Sequence, residues 1–155
     1  MSTPAEQALE RIAIAQARRK ALVDSEREAR VLQQADDIEA IVELEELHGS
    51  ERVLRIELDC WAPNRGAATC VAVLLPEAGD HKFKRFQQIA NRDELKPAEK
   101  VDASDVLARS CIVYPHPKDA PEMYKATVSL SSGILAYVTN QIITHVRGRL
   151  VEEGK

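Results

Sequence analysis

Residues 5–48 read AEQALERIAIAQARRKALVDSEREARVLQQADDIEAIVELEELH, a run with no glycine, proline or aromatic residue. Alanine, glutamate, glutamine, arginine and leucine dominate it, and these side chains lose little rotamer freedom in a helix, so the stretch predicts one long α-helix. Its start is marked as well. Thr3 stands at the N-cap, Pro4 at the first helical position and Glu6 where a capping box needs it, while Gly49 supplies the stop. Glu26 and Arg30 have the favourable i,i+4 order, worth about 0.2–0.5 kcal/mol on an exposed helix.

The apolar face of this helix is narrow. Val31, Ala35, Ile38 and Val42 follow the 4-3-4 spacing of a coiled-coil seam, but the same register traced backward meets Glu28 and Asp24 before Ala21, Ala17 and Ile14. The seam is therefore broken, and Leu9 with Ile12 makes a separate small patch. Residues 1–34 read as a charged helical arm: a solvated helix, a weak coiled coil, or a segment that a partner orders. Beyond residue 35, Ile38, Ile41, Val42 and Leu44 strengthen the face beside six acidic residues and no basic one between Asp36 and Glu46. That part is expected to dock on a compact domain spanning 35–155.

Past Gly49 the period changes from helical to alternating. Val53, Ile56 and Leu58 with Arg52, Arg55 and Glu57, followed by the β-branched run Thr69 to Leu75, predict a β-hairpin over 52–75. Its connection holds Pro63, Asn64 and Gly66, which favours a long tip over a two-residue turn. A two-stranded ribbon is marginal alone and needs helices to cover it. The expected cover begins with Lys82–Asn91, which places Phe83, Phe86 and Ala90 on one face. A second helix runs from Pro97 to about Val113, offering Val101, Leu107, Cys111 and Ile112 for burial, and Tyr114-Pro115-His116-Pro117 ends it. A short helix restarts at Asp119-Ala120-Pro121-Glu122. The last begins near Ser131 or Ser132 with Ile134, Leu135, Val138, Ile142, Val146 and Leu150 as its stripe, closing with Arg147 and Arg149. The expected class is α+β, mostly α: a long N-terminal helix, a β-hairpin, then a bundle of about four helices.

Composition agrees with this division. All six aromatics of the 155-residue chain, Trp61, Phe83, Phe86, Tyr114, Tyr124 and Tyr137, lie beyond residue 60, so the large core-filling side chains belong to the domain and not to the helix. The net charge of −4 is also uneven: residues 1–48 hold 11 acidic and 6 basic side chains, the remainder 14 and 15. A nearly neutral domain gives no general attraction to nucleic acid or to an anionic membrane. No window reaches the roughly 20 apolar residues that cross a bilayer, and the start lacks a secretory signal, so a cytoplasmic protein is expected.

The chain carries no HExxH, P-loop, GxGxxG, nucleophile elbow or paired CxxC, and its four histidines are scattered. No enzyme, cofactor or metal is expected. Cys60 and Cys70 across the hairpin, with His81, imitate a three-ligand site, but the spacing matches no standard ligand pattern and isolated buried cysteines are common. The segment His81-Lys82-Phe83-Lys84-Arg85-Phe86 interleaves aromatic and basic residues, so Lys82, Lys84 and Arg85 are the nucleic-acid candidates; a buried aromatic face with a solvated basic one explains the same pattern better. Trp61, on the hairpin connection, reads either as an exposed anchor for a partner or as a cap on the small core.

The order of pieces carries a resemblance. Glu45-Glu46-Leu47-His48-Gly49, a hairpin, Phe83-Lys84-Arg85-Phe86, the segment Asp105-Val106-Leu107-Ala108-Arg109-Ser110-Cys111-Ile112-Val113-Tyr114-Pro115 and a terminal helix resemble the tail assembly chaperones of tailed bacteriophages over residues 45–150. Those proteins place a small strand unit before an FKRF-like helix, and an LVxxCVVYP-like helix end before the last helices. Two departures stand out: Ser131-Ser132-Gly133 replaces a proline-glycine start to the last helix, and the hairpin connection is longer. The resemblance implies a non-enzymatic protein of the host cytoplasm that keeps the long tape-measure protein, or another tail protein, soluble until tube subunits assemble around it. On that reading Leu9, Ile12, Val31, Ile38 and Val42 face the partner, whereas the bland reading packs the last three on their own domain. A structural or self-associating tail component using the same helix, and a small nucleic-acid-binding regulator using 82–86, are the alternatives.

Overall fold

The computed structural model describes residues 1–58, 61, 68–77, 80–124 and 129–153. Helix α1 is one unbroken rod, Pro4–His48, whose 45 residues span about 68 Å at 1.5 Å per residue. Its ends form as the sequence implies. The Thr3 hydroxyl accepts from the Glu6 N–H at 3.1 Å, and the Glu6 carboxylate accepts from the Thr3 N–H at 3.3 Å. At the other end the Gly49 N–H closes on the Glu45 carbonyl at 2.7 Å, with Gly49 at φ 94°, a conformation that a side chain would strain.

Strands β1 (Val53–Glu57) and β2 (Cys70–Leu74) pair antiparallel with Arg55 opposite Ala72. Bonds from Leu58 N–H to the Thr69 carbonyl and from Leu75 N–H to the Arg52 carbonyl lengthen the ladder at both ends. The sheet is not a bare hairpin. Helix α3 (Pro97–Cys111) stops two residues short of the expected Val113, and Ile112–Tyr114 form a third strand, β3, antiparallel to β2. The β-branched pair Ile112-Val113 satisfies the free edge of β2 instead of continuing the helix, and a register shift at Ala72/Val73 accommodates the join.

Among the described residues, three α-helices and one 3-10 turn follow the hairpin: α2 (His81–Ala90), α3, the 3-10 turn Pro121–Tyr124 and α4 (Ser129–Glu153). Asp80 caps α2, its carboxylate accepting from the Lys82 and Phe83 N–H groups at 2.8 and 3.1 Å. The last helix starts two residues before the expected serine pair. Its stripe Ile134, Leu135, Val138 and Ile142 is buried and Val146 packs beside it, while the side chain of Leu150 lies outside the described residues.

The sheet separates two cores. One face carries Ile56, Leu58, Val71, Val73 and Ile112 against Phe83, Leu107, Ala108, Leu135, Val138 and Ile142. The other carries Val53, Cys70 and Ala72, with Val113 and Tyr114, against Ile41 and half-buried Leu44 of α1. Both faces of β2 are thus covered, which explains why Cys70 to Val73 read as a continuous apolar run. Tyr124 ties α3 to the segment that follows β3. Its hydroxyl donates to the Pro115 carbonyl at 2.9 Å, and the Arg109 guanidinium donates to the Tyr124 carbonyl at 2.5 Å. Val101, expected inside, is 58% exposed, because α3 turns Leu107, Ala108 and Cys111 to the core and leaves its opposite side in water.

Candidate partner-binding surface

Helix α1 has two regimes along its length. Residues 1–28 are exposed on every side, half-burial begins at Ala29 and Arg30, and full burial begins at Asp37. About five and a half turns at most are therefore anchored, and the remainder projects as a rod. Leu9, Ile12, Val31, Ile38 and Val42 are all solvent-exposed, from 42% for Ile38 to 66% for Leu9. Ile38 and Val42 lie on the flank turned away from Ile41 and Leu44, so even in the docked part of the helix these two side chains remain largely open. Ile14, on the backward register of the seam, is exposed too, and Leu22, Leu32 and Leu47 are exposed large apolar residues that the seam argument did not single out, since they stand off its register. Scattered apolar residues on a surface are ordinary. A rod of this length with apolar residues along it and charges between them is suited to lie against another amphipathic helix.

What holds the rod is a buried carboxylate. Asp37 is fully buried where α1 crosses β2. One oxygen accepts from the Thr69 N–H at 2.7 Å and the Thr69 hydroxyl at 2.5 Å; the other accepts from the Tyr114 hydroxyl and from the Gln33 side-chain amide at 3.0 Å. Four donors satisfy one carboxylate without a cationic partner, which is how a buried acid is tolerated. The network joins α1, the start of β2 and the end of β3. Neighbouring groups respond to it: the Cys70 thiol is pushed up to about 11, first by burial and then by the Asp37 charge. The Tyr114 hydroxyl is held far above its ordinary range, again first by burial and then by its bond to Asp37. Sequence reasoning missed this anchor. Its only trace was an acidic residue one turn before Ile41 on the flank that docks.

The basic segment is divided as the solvated-face reading describes. Phe83 is buried, Phe86 is half-buried with its ring centroid 6.4 Å from that of Phe83, and Lys82, Lys84 and Arg85 are exposed. Both rings pack on the domain core, so the segment offers cations to a phosphate backbone but no free ring for base stacking. Trp61 is half-buried, with its indole N–H enclosed and unbonded among the described residues. Cys60, the third member of the imitation metal set, lies outside the described residues. Cys70 is buried under α1 and His81 is exposed at the start of α2. Among the described residues no three His, Cys, Asp or Glu side chains are grouped to hold a metal ion, and no helix is long and apolar enough to cross a membrane.

The described residues also form two open clefts of similar size. One, of about 640 Å³, lies between Val53, Leu54 and Leu75 and the His145 side of α4; the other, of about 630 Å³, lies between α2 and α3 with Lys82 and Arg85 on one wall and Glu99 and Asp102 on the other. Ser50, Thr144 and His145 line the first cleft and Ser110 the second. Comparison with protein-family models, with curated proteins and with solved structures finds no match to this chain.

Proposed function

We propose that the protein is a non-enzymatic assembly chaperone that uses the projecting part of α1 to hold an elongated, helical client protein soluble until the client's own subunit partners enclose it. The observation that carries this reading is the rod itself: the charged, capped helix from Pro4 to residue 28 has no intramolecular contact that buries it and bears exposed apolar side chains at Leu9 and Ile12. The resemblance of residues 45–150 to phage tail assembly chaperones supplies the client class, a tape-measure protein in the host cytoplasm. Charges interleaved with a weak apolar seam keep such a contact soluble and reversible. Leu9, Ile12, Val31, Ile38 and Val42 are the contact residues on this reading, with Trp61 as an accessory contact.

The test is co-expression with the long coiled tail protein that this reading expects nearby in the genome, followed by pull-down and a solubility assay. The client is expected in the soluble fraction only with the full chain, and in the pellet when residues 1–28 are deleted. A client equally soluble without the protein would end the chaperone reading. Recovery of the protein as a component of purified particles would favour the structural alternative.

A further inference from the structure

We propose that α1 also pairs antiparallel with α1 of a second copy of this chain, charge against charge. The helix is electrically divided. Residues 11–30 carry six basic and three acidic side chains, a net +3, whereas residues 31–48 carry six acidic and no basic ones, five of them apart from the buried Asp37. The ion pairs Arg52–Glu77 and Arg55–Glu57 both lie outside α1. The helix therefore holds two unneutralised zones of opposite sign, centred about 20 residues, or roughly 30 Å, apart.

A parallel pair would set acidic zone on acidic zone and basic on basic. An antiparallel pair sets each basic zone on the other copy's acidic zone, and like-charge avoidance of this kind selects orientation in helix pairs. The boundary between the zones falls at Val31 and Leu32, which are 57% and 64% exposed, so the two-fold axis of such a pair would pass where apolar contact is available. Asp37, Ile41 and Leu44 face the parent domain, while Ile38 and Val42 on the open flank leave room for the second helix. Pairing also gives the arm something it lacks alone: a helix of this length in water gains most of its stability from a packed face. The pairing would cover part of the surface given above to a client, but the experiment uses the protein alone, so its outcome is separate from that of the client assay.

The experiment is sedimentation equilibrium on the full chain at about 50 mM and about 500 mM salt, across which the screening length falls about three-fold. The expected result is a dimer whose dissociation constant rises at least about ten-fold with salt. The triple variants R18E/R19E/K20E and E39K/E43K/E46K, each checked for retained helix by circular dichroism, are expected to be monomeric alone and to form a mixed dimer on combination. Spin labels at Lys20→Cys, in a Cys60→Ser background, are expected about 33 Å apart in the antiparallel pair and about 10 Å apart in a parallel one. A monomer at low salt, a salt-indifferent dimer, failure of the mixed variants to pair, or the short label distance would each overturn the proposal.

Discussion

Tyr114, at the end of β3, donates its hydroxyl to Asp37 in the C-terminal third of α1, 77 residues earlier in the chain. The same carboxylate holds Thr69 at the start of β2. One buried acid thus fixes the angle at which the rod leaves the domain. Removing its acceptors strands the Thr69 N–H and two hydroxyls, so Asp37→Ala is expected to cost about 3–5 kcal/mol and Tyr114→Phe about 1.5–3 kcal/mol. Urea unfolding of both variants and of the double variant checks this. The double variant should lose less than the sum, because both changes break one network. An Asp37→Ala loss under about 1 kcal/mol would show that the anchor is dispensable.

Alkali should loosen the same region. Burial raises the folded-state pKa of Cys70 to about 11, and those of Cys111, Tyr114 and Tyr124 also move up. Below the unfolded-state value the folded and unfolded chains both keep the Cys70 proton and its contribution is fully present. As pH rises toward about 11, the unfolded chain ionises first, and folding loses stability. The expected outcome is a fall in unfolding free energy beginning near pH 9, with a shallower slope in Cys70→Ala. Because that substitution also opens a small cavity, the slope and not the absolute stability is the readout. An unchanged slope would assign the alkaline loss to the tyrosines and Cys111.

The basic segment separates packing from charge. Phe83→Ala removes a buried ring and is expected to cost about 3–5 kcal/mol. Lys82→Ala, Lys84→Ala and Arg85→Ala alter exposed side chains outside the buried core, and each is expected to stay within about 0.5 kcal/mol of the parent. Retention on DNA or RNA columns should be weak in the parent and unchanged in the triple variant. A steep, salt-dependent loss of retention in the triple variant would instead support the nucleic-acid reading.

How far the residues announce these features depends on how local each one is. Helix α1 is legible because its cap, its composition and its glycine stop are all contained in the chain around it. Phe83 and the α4 stripe are legible through helical spacing. Strand β3 is not, since Ile112 and Val113 continue an apolar helical pattern and become a strand only because β2 offers an unfilled edge. Asp37 is hidden for a similar reason. It is one of six acids in a short stretch, and its partners Thr69 and Tyr114, 32 and 77 residues away, distinguish it only after folding. The open flank of α1 was partly legible: spacing picked Ile38 and Val42, but spacing alone did not say that Ile41 and Leu44 would take the domain and leave those two outside.

That division of α1 makes its two halves separable by mutation. Leu9→Gln with Ile12→Gln touches residues that are 66% and 50% exposed and bury nothing in their own domain, so stability should change by no more than about 0.5 kcal/mol. Ile41→Ala, at a position 2% exposed between α1 and the sheet, should cost about 2–5 kcal/mol. Deleting residues 1–28 should likewise leave the melting transition of the domain in place while lowering the helical circular dichroism signal, because no anchored turn is removed. The same deletion and the Leu9/Ile12 pair should each weaken client retention, whereas Lys82→Ala should not. If the arm variants destabilise the domain as strongly as Ile41→Ala does, the arm is part of the fold and the case for it as a free binding element fails. If they leave stability intact and client retention unchanged, the contact must move to the docked half, where Ile38→Gln and Val42→Gln become the discriminating pair.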